Sequence, residues 1–355
     1  MLRELGNCSS LPLMTATRQL LVRSFASVSI CVCSSACSPP ESVPPPNTPT
    51  VATVKPSEPV APPVLVLPPG CEPGAWCSVT GLPAQTTFNA VWGSKPEDVW
   101  IAGDLGTLLH FDGKAWSAVP SGTESSLRVL AGTSSNDVWA GGLAGALLHY
   151  DGRQWSSVQA NGSPWSPVPP PDARPVYGLC AERPNRIWAG GSGVRYFDGK
   201  TWSPPFHPSH LTITALWPAD ASHLWAIGKA GTLWIGEGGQ WTTVPHLIGP
   251  DYFGIWGSSA SDIWIVGSSG NILHWDGKAV LPSTSGTTVD LHAVYGTSAQ
   301  NIWAVGDQGA LLHWENASWK ASPAATPNSL LGVWAANERD VWIVGENGLV
   351  LRRRI

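Results

Sequence analysis

Trp256-Gly257-Ser258-Ser259-Ala260-Ser261-Asp262-Ile263-Trp264-Ile265-Val266-Gly267 is the stretch whose reading decides the fold, because versions of it recur along the chain. Its central Trp appears at Trp100, Trp139, Trp188, Trp225, Trp264, Trp303 and Trp342, at spacings of 39, 49, 37, 39, 39 and 39 residues. Only the second interval is long, and it carries an insertion from Asn161 to Arg174. A phrase repeated at this period describes one supersecondary unit used many times.

Each unit reads as four short strands joined by three turns. Eight residues before each central Trp stands a second, mostly apolar position: Trp92, Ala131, Cys180, Trp217, Trp256, Tyr295 and Trp334. After the central Trp comes Gly-x-x-Gly, as at Gly103–Gly106 and Gly306–Gly309, set between runs of Val, Ile, Leu and Trp. That is the signature of a tight hairpin. Asp98, Asp137, Asp262, Asn301 and Asp340 each end a polar stretch just before a strand, where Asx side chains close turns. Asp112-Gly113, Asp151-Gly152, Asp198-Gly199 and Asp276-Gly277 mark a further turn. For the first unit the strands are expected near Phe88–Gly93, Asp98–Ala102, Thr107–Phe111 and Trp116–Pro120. No window has sustained helical periodicity.

Four strands in about 40 residues is the period of a β-propeller blade. The expected fold is therefore all-β, a seven-bladed β-propeller of four-stranded antiparallel blades over residues 71–355. The last unit stops after its third strand, at Leu349-Val350-Leu351, while Trp76-Cys77-Ser78-Val79 parallels Trp116-Ser117-Ala118-Val119. The N-terminal strand is thus expected to complete the seventh blade and remove two open sheet edges. The repeat resembles a family of bacterial exported β-propellers described as BNR- or Asp-box-like, whose units read WGSSxxDVWAVG. The likeness covers residues 72–355 and implies the fold rather than an activity, because propellers host many functions. One departure matters: a true Asp-box places its aromatic five residues after the Asp, whereas Asp112 to Trp116 is four.

Composition agrees with this reading. The 355 residues include 21 Trp against 5 Tyr and 6 Phe, with 38 Gly, 33 Pro and only 13% charged residues, which argues against a helical bundle. Repeated Trp can fill the gaps between radiating sheets, each burying roughly 150–250 Å². With 20 basic and 25 acidic residues and a net charge of −5, there is no broad footprint for nucleic acid.

The N-terminus reads as an export signal over residues 1–36, with Met14 a better start than Met1. A short basic segment holding Arg18 and Arg23 precedes the uncharged stretch Ser24 to Ala36, which is too short for a spanning helix. Ser34-Ser35-Ala36-Cys37 resembles the lipobox of bacterial lipoproteins, apart from Ser34 in place of the usual Leu. The resemblance implies lipidation at Cys37 and, from Ser38, an outer-membrane or cell-surface location; plain secretion is the alternative. Residues 37–70 form a Pro-rich linker, with 12 Pro in the 33 positions from 38 to 70. Such a segment supports neither helix nor ladder and is expected to be an extended spacer of roughly 3 Å per residue. Cys71 and Cys77 flank a short loop, and an oxidising compartment would let them pair as a disulfide. Cys180 is expected as a buried thiol.

Several constellations were weighed for chemistry. His110, His149, His274 and His313 share one third-strand position. On neighbouring blades they would stand ~15 Å apart, far beyond the ~3–4 Å between two ligands of one zinc. They read as a hydrogen bond written into the repeat, and no metal or cofactor is implied. Asp104, Asp172, Asp251, Asp290, Asp307 and Glu346 break the repeat pattern and map to one face. They could serve glycoside chemistry only if two of them were paired at a defined distance. Sialidase-like chemistry would need several Arg for a substrate carboxylate; only Arg128 and Arg174 map to the inner strands or their loops.

The better binding candidates vary inside an otherwise rigid repeat. Three residues before the inner aromatic position stand Asn89, Arg128, Tyr177, Thr214, Phe253, His292 and Leu331, while the neighbours Ala90, Gly178, Ala215, Gly254, Ala293 and Gly332 stay small. The insertion adds Trp165, Asp172 and Arg174. Such variation describes a mouth lined with distinct groups. The resulting expectation is a monomeric, lipid-anchored propeller that binds a protein or carbohydrate through Arg128, Trp165, Asp172, Arg174, Tyr177 and His292, and performs no chemistry. One alternative is a polysaccharide hydrolase or lyase using that face; another is an assembly factor for a membrane complex.

Overall fold

The computed structural model describes residues 72, 74–158, 174–184, 186–199, 202–203, 206, 212–220, 222–237, 239–245, 249–322 and 326–354. The expected export signal, the linker, Cys37, Cys71, Trp165 and Asp172 lie outside them. The described residues form seven antiparallel sheets, and the only helical turns are single 3-10 turns. The fold is a seven-bladed propeller.

Blade one comprises Phe88–Lys95, Asp98–Gly103, Leu108–Phe111 and Trp116–Ala118, close to the expected bounds. Blade two (127–157), blade four (213–243), blade five (252–283) and blade six (291–321) repeat this four-strand order. Blade three has three described strands, Gly178–Arg183, Arg186–Gly190 and Val194–Phe197. Beyond its third strand, only the isolated bridges Val194 to Phe206 and Phe197 to Trp202 continue the sheet among the described residues. Blade seven runs Leu330–Asn337, Asp340–Gly345 and Val350–Arg354, and Trp76–Ser78 pairs antiparallel with the last of these. Trp76 stands opposite Arg353 and Ser78 opposite Leu351. The first strands of successive blades touch in cyclic order, the first strand of blade one meeting those of blades two and seven.

Each Gly-x-x-Gly is a tight turn whose middle residue enters the left-handed region, as Leu105 does at φ 54° and Gln308 at φ 56°. The Gly of the Trp-Gly pair serves a different purpose. A Cβ on Gly93 would meet the Trp334 ring at 2.6 Å, and one on Gly132 would meet Trp92 at 2.6 Å. The inner Trp of one blade therefore lies flat against the backbone of the next, which only glycine permits.

The central Trp of each second strand forms the other seam contact. Trp100, Trp139, Trp225, Trp264, Trp303 and Trp342 are 1–2% exposed. Each is covered by a third-strand side chain of the following blade. Tyr150 lies 4.9 Å from Trp100, Phe197 6.0 Å from Trp139, Trp275 5.4 Å from Trp225, and Trp314 4.5 Å from Trp264. Arg353 lies 5.3 Å from Trp303, and Phe111 5.5 Å from Trp342.

On its own blade the same Trp carries a polar clasp. His110 Nε2 donates to Asp98 Oδ1 at 2.6 Å while the imidazole stacks on Trp100 at 4.2 Å. His149 with Asp137, and His274 with Asp262, repeat this at 2.8 and 2.7 Å. Ser94, Thr133 and Ser258 donate to the same three carboxylates. His313 meets Asn301 at 2.7 Å in blade six, and Arg352 forms a buried bidentate pair with Asp340 at 2.8 and 2.6 Å in blade seven. The His residues are thus the repeat-coded bond expected of them. The Asx residues are more than turn formers: they join three parts of a blade, because the strand pairing places Trp100 opposite His110.

Burial would raise the Asp98 and Asp137 carboxyls, but hydrogen bonds from His110 and Ser94 to the first, and from His149 and Thr133 to the second, hold both below the usual value. Groups depressed in this way add stability above the unfolded-state value of about 3.9 and lose it as pH falls through the folded-state value. The thermal midpoint should therefore be level near neutrality and fall below about pH 4. A variant with Asp98→Asn and Asp137→Asn should be less stable at pH 7 but lose less on acidification. Asp340→Ala, which leaves Arg352 buried and unpaired, should cost about 3–5 kcal/mol in urea unfolding, with much of the loss recovered by adding Arg352→Leu.

Candidate functional site

The varied column lines one cavity. Asn89, Arg128, Tyr177, Thr214, Phe253, His292 and Leu331 all border a central channel of about 410 Å³, walled lower down by Val91, Leu130, Ile255 and Val333. Its lower part is narrowed by Trp92, Trp217, Trp256, Tyr295 and Trp334. Blades two and three carry Ala131 and Cys180 at the equivalent position.

A feature the sequence did not reveal explains why the column points inward. In blade one Phe88 pairs with Gly103 and Ala90 with Ala102, so Asn89 is the extra residue of a β-bulge. The same register shift isolates Arg128, Thr214, Phe253, His292 and Leu331. A bulge re-aims one side chain without breaking the ladder. In blade three Tyr177 stands just before its strand and donates its N–H to Gly190 at 2.9 Å.

Three members of the column are held by acids from the adjoining turns. Asn89 is buried; its Nδ2 donates to Asp104 Oδ1 at 3.0 Å and to the Leu127 carbonyl at 2.9 Å. Arg128 Nη1 donates to Asn89 Oδ1 at 2.9 Å, and its Nη2 lies 3.5 Å from Asp104. A guanidinium has five N–H groups, so Arg128 keeps donors for a ligand. Across the ring His292 Nε2 meets Asp307 Oδ1 at 2.7 Å, and its imidazole lies 5.7 Å from the Phe253 ring.

The other repeat-breaking acids among the described residues, Asp251, Asp290 and Glu346, brace the scaffold. Asp251 accepts from the Ala230 amide at 2.8 Å, and Asp290 from the Ser269 amide at 2.8 Å, each bracing a turn of the preceding blade. Glu346 accepts from the Ser329 amide at 3.3 Å. As partners for glycoside chemistry these three are already engaged with backbone. Arg174 is exposed and is not among the residues that border the channel. Of the six expected site residues, Arg128, Tyr177 and His292 come together, and Trp165 and Asp172 lie outside the described residues.

The cavity offers binding groups rather than an activated nucleophile. Cys180 is a free, buried thiol, and burial pushes it up, so it stays protonated at neutral pH. Burial likewise raises the Tyr295 hydroxyl. Among the described residues no three His, Cys, Asp or Glu side chains are grouped to hold a metal ion. Cys77 is disulfide-bonded; its expected partner, Cys71, lies outside the described residues.

Because Arg128, Tyr177 and His292 edge the cavity rather than the seams, changing any one to Ala should cost less than about 1 kcal/mol in urea unfolding. Trp100→Ala should cost about 3–5 kcal/mol by the same measurement.

No protein-family model matches this sequence, and no curated protein aligns with it significantly. Many solved structures share its fold. YCF48 from Cyanidioschyzon merolae is 14% identical, with a TM-score of 0.62 over 79% of this chain and 98% of its own. YCF48 bound to D1 peptide is 16% identical, with a TM-score of 0.64 over 79% and 97%. Inactive virginiamycin B lyase from Staphylococcus aureus, solved with quinupristin, is 13% identical, with a TM-score of 0.66 over 79% and 99%. At these identities the likeness is one of fold, and the chain is similar to these proteins as a seven-bladed propeller.

Proposed function

We propose that this protein is a non-catalytic interaction module that takes a protein segment in the mouth of its central channel. The observation that carries the reading is the convergence of seven unlike side chains on one cavity, at the only inner-strand position where the repeat varies so freely. Arg128 offers donors to a carboxylate or carbonyl, while Phe253, Leu331 and Tyr177 offer surface to apolar side chains. Asn89, Asp104 and Asp307 hold Arg128 and His292 in place before a ligand arrives, which lowers the ordering cost of binding. Similar propellers support the reading: YCF48 has been solved bound to a D1 peptide, and WD40 repeats such as those of RRP9 share the fold.

We further propose that the module is exported and tethered. Its N-terminal segment reads as a signal ending at Cys37, and the Pro-rich linker after it suits a stalk between a lipid anchor and the propeller.

Selection of a displayed random peptide library on the purified protein tests the binding. Peptides should be enriched, and Arg128→Ala or His292→Ala should weaken the selected peptides by about tenfold or more. Failure to enrich any peptide, together with turnover of a polysaccharide that these substitutions abolish, would establish the hydrolase or lyase reading instead. For the tether, fractionation of cells producing the full chain should place the protein with membranes, and Cys37→Ser should release it. Unchanged fractionation would refute lipidation at Cys37.

A further inference from the structure

One seam of the ring is built differently. In six seams a third-strand side chain covers the central Trp of the preceding blade. In blade four the pairing puts Gly236 opposite Leu224, at the position held by Phe111 opposite Val99 in blade one. Glycine supplies no cover, and Trp188 is only partly buried, unlike the other six central Trp.

The polar clasp is rewritten at the same place. Where blade one has Ser94, Asp98 and His110, blade three has Glu182, Arg186 and Tyr196. Arg186 Nε lies 3.0 Å from Glu182 Oε2 without hydrogen-bond geometry, so a buried donor is left unsatisfied. The Arg186 guanidinium also stands 5.5 Å from the Tyr196 ring. In blade four, His223 replaces the clasp Asp and meets Asp220 at 2.8 Å. Together these changes open a cavity of about 470 Å³ between blades three and four, on the face opposite the channel mouth. Trp188, Tyr196 and Trp241 wall it, and Glu182, Arg186, Asp220 and His223 rim it. Trp241 is a fixed wall, held by Phe206 stacked at 5.2 Å and by close approach to Gly236.

We infer that this seam is a saccharide-binding site, in which a pyranose ring occupies the place over Trp188 that a side chain fills in the other seams. Trp188 packs on Tyr196 at 4.9 Å yet still borders the cavity, where the C–H face of a sugar suits its indole and the sugar hydroxyls suit a rim of carboxylates, guanidinium and imidazole. An apolar ring would cover Trp188 equally well but leave the buried Arg186 Nε–H without an acceptor, at a cost that a sugar hydroxyl would relieve. The volume lies within the ~300–1,000 Å³ of small-ligand sites. This site is independent of the mouth and of the protein partner proposed there.

The test is titration of the purified protein with glucose, galactose, N-acetylglucosamine and their β-1,4-linked disaccharides, followed by calorimetry and saturation-transfer NMR. At least one sugar should bind, with saturation strongest at its ring C–H protons. Trp188→Ala, and separately Asp220→Asn and Glu182→Gln on the rim, should each weaken it by about tenfold or more. Gly236→Phe, whose ring would fill the space over Trp188 and whose Cβ would press on Trp241 at 2.9 Å, should abolish binding. Arg128→Ala should leave sugar affinity unchanged. If Gly236→Phe or Trp188→Ala fails to fold, the two rim variants decide. The inference is overturned if no sugar in the panel binds, if binding survives the rim variants unchanged, or if N-acetyltyrosinamide binds more tightly than every sugar.

Discussion

The architecture depends on one contact made again and again: a Trp from the second strand of one blade held between a polar clasp on its own sheet and a side chain from the next. A sheet is apolar on both faces only if both are covered, and in a ring each blade covers its neighbours. Flat aromatic rings do this well because they bury much surface with few rotatable bonds. The clasp adds direction. By tying the end of the second strand to the third strand and to the preceding turn, Asp98, His110 and Ser94 fix how Trp100 lies. Blade seven reaches the same end with an ion pair, Arg352 standing over Trp342 at 4.2 Å while bound to Asp340.

So regular a frame leaves little room for variation, and variation is therefore informative where it occurs. At the inner end of the first strand the frame places a bulge in blade after blade, and a bulged residue faces the channel instead of a neighbouring sheet. Its identity is less constrained by packing than that of a residue facing a neighbouring sheet. That is why Asn89, Arg128, Thr214, Phe253, His292 and Leu331 can differ so widely, while the positions beside them hold Ala90, Val129, Ala215 and Gly254. At Gly254 a Cβ would meet the Ala293 backbone at 3.0 Å. The other departure, at the seam of blades three and four, removes a covering side chain and rewrites the clasp within one small region. Both departures are concave, aromatic and edged with polar groups, which is how small sites are built on large scaffolds.

Much of this was open to reading from the residues alone. The spacing of the central Trp, the Gly-x-x-Gly turns and the Asp-Gly turns determined strand number, strand order and blade number, because each reports a local backbone requirement that holds whatever surrounds it. The varied column was visible too, as a position that changes while its neighbours do not. What only the tertiary structure decided involves partners far apart in sequence. The Asx residues seemed to close turns, and it is strand pairing that puts Asp98 against His110. In sequence Asp251 and Asp290 only break the repeat and map to one face, and it is the neighbouring blade that engages them. Arg174 is not among the residues that border the channel. The opening over Trp188 is legible in no single repeat, because it depends on Gly236, a residue of the next blade. Periodicity along a chain fixes what each strand is, whereas packing across a seam depends on two strands at once, and only folding brings those two together.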